Sequence, residues 1–238
     1  MPEHAILKYL KERRLAEFGP EVEPKKPGPV VTISREYGCP GFTLAEKLAG
    51  TLSRKTLADG SRGEWKAVNR EILKEAADHF ELPESLVNEI YRRAHPVHPL
   101  VDLFRSLSGN PMPGDVKIKK KVADIILKMA TDGRYVIVGR GGAMLARNIP
   151  DSLHIQLYAP VAWRLDRVME RDKVSKEEAL RRMQSVDRER VFLRKFLSGE
   201  TPTTDFFDVT FNCATVSVAQ IESAAIDLLY SKHILQSK

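Results

Sequence analysis

Apolar and polar positions follow two different periods along this chain, and the changes of period mark its secondary structure. Short runs of apolar and β-branched residues predict five strands, near residues 30–34, 55–58, 135–138, 154–158 and 208–212. Between these runs, apolar residues recur at spacings of three and four, which predicts amphipathic helices. Strands that alternate with helices are typical of a parallel sheet covered on both faces. We therefore predict an α/β fold with a five-stranded parallel sheet.

The same pattern divides the chain into parts. Residues 3–17 predict a short basic amphipathic helix, and the proline-rich residues 21–29 predict a linker. The main domain is therefore expected over residues 30–238. Helical patterns fill most of the interval between the second and third predicted strands, which predicts a helical insertion over residues 59–132.

The start of the main domain has the layout of a phosphate-binding cradle. A β-branched run, Val30 to Ile33, leads through a loop with Gly38 and Gly41 into a helix with apolar residues at positions 44, 45, 48 and 49. In this layout the N–H groups of the loop and of the first helical turn point at an anion, and the helix dipole adds partial positive charge.

The loop is not a Walker A motif, because it contains no lysine. When Thr43 is taken as the metal-binding hydroxyl, the lysine position falls on Gly41 and the preceding glycine on Pro40. Pro40 also removes one N–H donor. An ordinary strand-to-helix turn is therefore the alternative interpretation of this segment.

Composition favours an anionic partner without identifying it. The chain has 238 residues, a net charge of +6, 42% hydrophobic and 29% charged residues, and a pI of about 9.3. These values are typical of a soluble globular protein that binds a nucleotide or a nucleic acid.

The cysteines and the apolar runs bear on the cellular location. Cys39 and Cys213 lie far apart and have no zinc-binding spacing, so two reduced thiols are expected. No apolar run approaches the ~20 residues of a membrane span, and the first residues lack a signal-peptide core. The sequence predicts a cytoplasmic protein without membrane contact.

Three segments are expected to meet at the carboxyl edge of the sheet, where ligands of such folds bind. They are residues 34–43, 139–142 and 159–171. The last segment carries Arg164, Arg167 and Arg171 on one helical face. A capping box at Ser175 begins a further arginine-rich helix. A solvated basic helix pair is the alternative to a phosphate-binding surface.

The order of these motifs resembles the bacterial cytidylate kinase-like family, lysine-less relatives of P-loop nucleoside monophosphate kinases. The resemblance covers about residues 30–229 and rests on the motifs Ile33-Ser-Arg-Glu-Tyr-Gly38, Ile137-Val-Gly-Arg-Gly-Gly142, Ala159-Pro160 with the arginines that follow, Asp187-x-x-Arg190, and Asp208 to Asn212. It implies a P-loop kinase-like three-layer fold with the strand at residue 30 central, between those at 135 and 154. It also implies an arginine-rich lid over residues 172–195 and an acceptor-binding role for the helical insertion.

The resemblance further implies ATP and Mg²⁺ as cofactors and CMP, dCMP or a related small molecule as phosphoryl acceptor. The residues expected to bind ATP are Arg35, Gly38, Cys39, Gly41, Phe42 and Thr43, with Thr43 also a metal ligand. Those expected in catalysis are Arg164, Arg167, Asp187 and Arg190. Those expected to bind the acceptor are Arg140, Gly141, Asn69 and Asp208.

Two other functions stay open at this stage. The missing lysine favours a catalytically weak, regulatory nucleotide-binding module, although such a module has no need of lid arginines. The basic charge suggests a nucleic-acid-binding protein, but no helix-turn-helix, zinc or RNA-binding signature supports it. Nucleotides are therefore the expected partners, and a homodimer is left open.

Overall fold

The computed structural model describes residues 27–68, 113–198 and 203–236. Its centre is a five-stranded parallel sheet in the order β2-β3-β1-β4-β5. The strands are β1 (Val30–Arg35), β2 (Lys66–Val68), β3 (Tyr135–Val138), β4 (Ser152–Tyr158) and β5 (Val209–Asn212). The predicted α/β class and the central position of β1 are confirmed.

The second strand differs from the prediction. Residues 55–58 do not join the sheet; Leu57 instead forms an isolated antiparallel bridge with Leu235 near the chain end. The Ala58 N–H donates to the Ile234 carbonyl at 3.0 Å, so this segment pairs with the C-terminal residues. The strand that extends the sheet beyond β3 is Lys66–Val68, about ten residues later.

Six helices and one 3-10 turn surround the sheet in the described part of the chain. They are α1 (Gly41–Leu52), α2 (Pro113–Asp132), α3 (Gly142–Leu145), α4 (Val161–Asp172), α5 (Lys176–Ser198), the 3-10 turn Thr203–Phe206, and α6 (Val218–Ser231). At the predicted start of α5, the Glu178 N–H donates to Ser175 Oγ at 3.3 Å. None of the described helices is long and apolar enough to cross a membrane.

Both faces of the sheet are covered, which accounts for the burial of every β1 residue from Val30 to Ser34. Leu48 of α1 and Ile221 of α6 are buried on one face. Ile126 of α2 and Met144 of α3 are buried on the other. Each such side chain contributes roughly 1.5–3 kcal/mol relative to exposure. The two layers hold the carboxyl ends of β1, β3 and β4 next to one another.

Several predicted features lie outside the described residues. They are the N-terminal helix over residues 3–17, the greater part of the insertion over residues 59–132, and Asn69. The role of the insertion in acceptor binding therefore stays a prediction.

Candidate functional site

A cleft of about 540 Å³ opens at the carboxyl edge of the sheet, between the loop after β1 and the two arginine-rich helices. The loop and the start of α1 form one wall. Arginines and a glutamate of α4 and α5 form the other. The lining consists of residues 35–43 together with Arg167, Glu170, Arg171 and Arg190. Most of the residues predicted to bind ATP or to act in catalysis are thus brought together.

The loop retains part of the predicted set of N–H donors. In the described structure, the N–H groups of Gly38, Phe42 and Thr43 have no protein acceptor. The other two are taken, because the Cys39 N–H donates to the Glu36 carbonyl at 3.2 Å and the Gly41 N–H donates to the Cys39 carbonyl at 2.9 Å. Three donors, two of them in the first turn of α1, are therefore available to bind an anion.

Pro40 explains why the Gly41 donor is lost. Its φ of −82° and ψ of 51° are those of the central residue of an inverse γ-turn, which the Gly41-to-Cys39 hydrogen bond closes. The turn leads directly into α1. The loop therefore offers fewer N–H donors to a ligand than a loop in which every N–H group points at the ligand. Phe42 and Thr43 then follow with exposed side chains, Phe42 being 44% exposed.

Strict Walker A spacing places the lysine directly before the hydroxyl residue, which corresponds to Phe42 when Thr43 is that residue. The position predicted above, Gly41, is one residue earlier. Neither residue carries a charge, so the absence of lysine from the loop holds in both alignments.

Gly38 holds the loop close to α4. Its φ is +94°, which favours glycine, and a Cβ there would lie 3.2 Å from both the Cβ and the carbonyl oxygen of Arg164. Packing against α4 therefore favours glycine at this position, in addition to any contact that Gly38 makes with phosphate.

Arg164 and Asp187 tie the loop to α4 and α5. Arg164 is 6% exposed, and its Nη1 donates to the Tyr37 carbonyl at 3.1 Å and to Asp187 Oδ2 at 2.5 Å. The other Asp187 oxygen accepts the Tyr37 N–H at 2.7 Å. In this conformation both residues position the loop, and their direct part in catalysis stays a prediction.

The other arginines of the helices lie nearer the cleft. Arg190 donates from Nη1 to the Arg35 carbonyl at 3.0 Å, and burial lowers the pKa of its guanidinium. Arg167 is exposed and stacks on Trp163, with 4.6 Å between the guanidinium carbon and the ring centre. Both were predicted, and both line the cleft.

Arg171 and Tyr37 were not among the predicted site residues. Arg171 stacks on the Tyr37 ring at 4.9 Å and pairs with Asp172 at 2.7 Å. The sequence did contain a signal for Arg171, because it shares a helical face with Arg167. Tyr37 had no such signal, since its place in the wall depends on how the loop folds back toward α4.

Arg35 extends from the end of β1 beneath the loop. A Cβ on Gly41 would lie 3.3 Å from its Cγ and Cδ, and one on Gly139 would lie 1.9 Å from its Nη1. The guanidinium thus rests against Gly139, at the end of β3. Burial, followed by repulsion from Arg190 and Arg140, lowers the pKa of Arg35 well below its ordinary value.

The predicted acceptor residues do not form one group. Arg140 lies in the turn after β3, half-buried, with φ of +56°, close enough to act electrostatically on Arg35. Gly141 is buried, and a Cβ there would lie 2.0 Å from Leu197 of α5, so packing requires glycine at this position; its contact with an acceptor stays a prediction. Asp208 lies elsewhere: it precedes β5 and accepts the His154 N–H at 2.7 Å and Lys232 Nζ at 2.8 Å. The structure does not bring Asp208 to the cleft.

The two cysteines meet, although they lie far apart in the sequence. Both are free thiols, and Cys39 in the loop packs against the core that contains Cys213. A hydrogen bond with Cys213, together with burial, raises the pKa of the Cys39 thiol. The same hydrogen bond lowers the pKa of Cys213. The contact couples the loop to the end of β5.

Comparisons with known proteins agree with this architecture. The model of the cytidylate kinase-like family matches residues 30–215. An uncharacterized protein from Eubacterium ventriosum has a similar solved structure, with a TM-score of 0.59 and 20% identity over 85% of this chain and 98% of that one. No curated protein matches the sequence significantly.

Two kinases resemble the chain more distantly. Shikimate kinase from Acinetobacter baumannii, solved with shikimate, gives a TM-score of 0.44 at 15% identity over 87% of this chain and 95% of that one. Dephospho-CoA kinase from Campylobacter jejuni gives 0.37 at 15% identity over 86% and 97%.

Proposed function

Because the chain belongs to the cytidylate kinase-like family, we propose that it transfers the γ-phosphoryl group of ATP to a nucleoside monophosphate, with CMP and dCMP as the first candidates. The observation that carries this proposal is the cleft at the carboxyl edge of the sheet. One wall presents the N–H groups of Gly38, Phe42 and Thr43, and the other presents arginines. Both kinds of donor suit phosphate oxygens.

On the donor side, the start of α1 would hold the phosphates of ATP. The N–H groups of Phe42 and Thr43 lie in its first turn, where the helix dipole also favours negative charge. The Thr43 hydroxyl is suited to Mg²⁺, which proteins hold through few side chains and through substrate phosphates. Among the described residues no group of three or more metal-binding side chains exists, which agrees with such a site. Bound Mg²⁺ would neutralise charge on the phosphates.

The arginines would neutralise the charge that spreads over the transferred group. Phosphoryl transfer depends on positioning and on electrostatic stabilisation, with little covalent chemistry for the protein. Arg167 and Arg171 on α4 and Arg190 on α5 line the cleft, with Glu170 as the carboxylate between them. Closure of these helices over the phosphates would also exclude water.

The acceptor would lie beside the donor, toward β3. Arg140 follows β3, which pairs directly with β1. A guanidinium there can bind the monophosphate of the acceptor in bidentate fashion. The base of the acceptor would then extend toward the predicted insertion.

A panel of nucleoside monophosphates, assayed with ATP and Mg²⁺, tests the proposal. We expect turnover to be highest with CMP or dCMP and to fall by roughly an order of magnitude or more when Thr43→Val removes the hydroxyl without changing the side-chain shape. Thr210→Val, which makes the same change at an exposed position of β5 away from the cleft, is the matched control. A wild-type protein that binds ATP but phosphorylates none of the acceptors contradicts the kinase proposal.

A regulatory nucleotide-binding module is the second candidate. The observations that favour it are the missing lysine and the two loop N–H groups that protein carbonyls already occupy. Calorimetry separates the two candidates. Tight ATP binding without turnover supports the module, whereas turnover with any monophosphate excludes a purely regulatory role.

A further inference from the structure

We propose that Arg35 supplies, from the end of β1, the positive charge that a lysine supplies in other phosphate-binding loops. The inference rests on the proposed function, because it assigns a residue to the ATP phosphates. In P-loop proteins the lysine of the loop reaches the β- and γ-phosphates. This chain has no cation at either candidate position of its loop, so the charge has to come from another element.

The geometry of Arg35 fits this role. Its Cγ and Cδ lie 3.3 Å from the point that a Cβ on Gly41 would occupy. The side chain therefore passes through the space that a residue larger than glycine would take at this position of the loop. Gly41 has an ordinary negative φ, so the backbone itself does not require glycine there. Glycine at position 41 suits the passage of Arg35, because a Cβ there would press against its methylene groups.

A second glycine makes room for the charged end. The Arg35 guanidinium rests on Gly139, where a Cβ would lie 1.9 Å from Nη1. The tip is therefore held between the ends of β1 and β3, at the edge where the loop N–H groups also lie. Two backbone segments thus leave a channel for one long cationic side chain.

Arg35 forms no direct ion pair in the described part of the protein. No carboxylate there lies within ion-pair distance of its guanidinium, and no hydrogen bond from it is formed. Burial, followed by repulsion from Arg190 and Arg140, lowers its pKa well below the ordinary value and outweighs the attraction of Asp187. Keeping a partly buried guanidinium charged near other guanidinium groups costs free energy, and a bound anion would reduce that cost.

The other arginines of the cleft are less suited to this role. Arg190 is 3.7 Å from Asp187 and donates to the Arg35 carbonyl. Arg171 pairs with Asp172, and Arg167 stacks on Trp163 at the exposed rim. These residues belong to the two helices that the proposed function would close over a ligand. Arg35 is fixed to the central strand, next to the loop.

Binding measurements test the assignment. ATP, ADP and AMP are titrated into Arg35→Met by calorimetry, with Arg54→Met as a control that removes the same charge from the exposed far end of α1. We expect the affinity for ATP and ADP to fall roughly tenfold to a hundredfold, since a charge-assisted contact is lost. The affinity for AMP, which lacks those phosphates, should be unchanged. Equal losses for all three nucleotides, or no loss for ATP, overturn the proposal.

Moving the positive charge from position 35 to the loop distinguishes a role in phosphate binding from a purely structural role of Arg35. The double variant Arg35→Ala/Phe42→Lys places a lysine directly before Thr43, where Walker A spacing has it, and should regain most of the ATP affinity that Arg35→Ala loses. Thermal unfolding without ligand should show no loss of stability in Arg35→Met. If Arg35→Met does not fold, Arg35→Lys replaces it. This variant keeps the positive charge and should therefore keep most of the ATP affinity. A full loss of ATP affinity in Arg35→Lys overturns the proposal.

The outcomes also distinguish this inference from the kinase proposal. The titrations measure binding, so a wild-type protein that binds ATP without turnover leaves the Arg35 test fully readable. Normal turnover by Arg35→Met would leave the kinase proposal intact and overturn only the assignment of Arg35. A wild-type protein that does not bind ATP overturns both.

Discussion

At the scale of single residues, the burial of His154 changes its protonation behaviour. It is 7% exposed, with Nδ1 2.8 Å from Thr32 Oγ1 and Nε2 3.1 Å from Ser152 Oγ. Burial lowers the pKa of this histidine from 6.5 to about 4, because the charged imidazolium would lose its hydration. The neutral side chain joins β4 to the centre of the sheet.

This shift predicts a dependence of stability on pH. Between pH 6.5 and about 4 the unfolded chain binds a proton that the folded protein does not, so the free energy of unfolding decreases as the pH falls through that range. The full effect is roughly 3 kcal/mol. Urea denaturation at successive pH values measures it. The decrease should be smaller in His154→Gln and unchanged in His233→Asn, which alters an exposed histidine; an unchanged decrease in His154→Gln contradicts the assignment.

At the scale of elements, the packing of the loop on α4 predicts a contrast between two glycines. Gly38→Ala forces a Cβ into a φ of +94° and to 3.2 Å from Arg164, and should cost roughly 1–3 kcal/mol of stability. Gly50→Ala, in the exposed interior of α1 with nothing within 4 Å, should instead add about 0.5–1 kcal/mol. Denaturant midpoints compare them. Equal effects would show that the loop is not held by α4.

The elements also show how far the sequence alone predicts this fold. β1, β3 and α1 carry strong local patterns and lie where they were predicted. β2 has only three residues, with Lys66 exposed, and it is a strand because β3 provides its hydrogen-bond partners. The run at residues 55–58 is apolar for a different reason, since Leu57 packs in the core beside the chain end. Short edge strands depend on tertiary contacts that local patterns do not contain.

The candidate site follows the same rule. The loop, Arg167 and Arg190 were predictable because motif spacing marks them. The positions of Arg164 and Asp187 between the loop and the helices could not be predicted, since their hydrogen bonds join segments far apart in sequence. The contact of Cys39 with Cys213 and the distance of Asp208 from the cleft depend likewise on how β5 sits beside β4.

At the scale of the whole molecule, the strand order separates two binding roles along one edge. β3 lies directly beside β1, so the turn that carries Arg140 adjoins the loop that would hold ATP.

The proposed function therefore predicts that a change at Arg140 affects the binding of the acceptor and not that of ATP. Arg140→Gly removes the side chain while suiting the φ of +56°. It should weaken CMP binding by roughly 1.5–3 kcal/mol and leave ATP binding unchanged. Calorimetry with each nucleotide alone measures both, and equal losses would place Arg140 on the ATP side.

The packing of Arg35 against Gly41 and Gly139 predicts which residues occur together at these three positions in homologous sequences. A side chain at position 139 would overlap the arginine and one at position 41 would press against it, so among homologous sequences an arginine at position 35 should occur together with glycine at the other two positions. A substitution that removes the arginine would remove the contact that disfavours side chains at positions 41 and 139, so changes at the three positions should occur together.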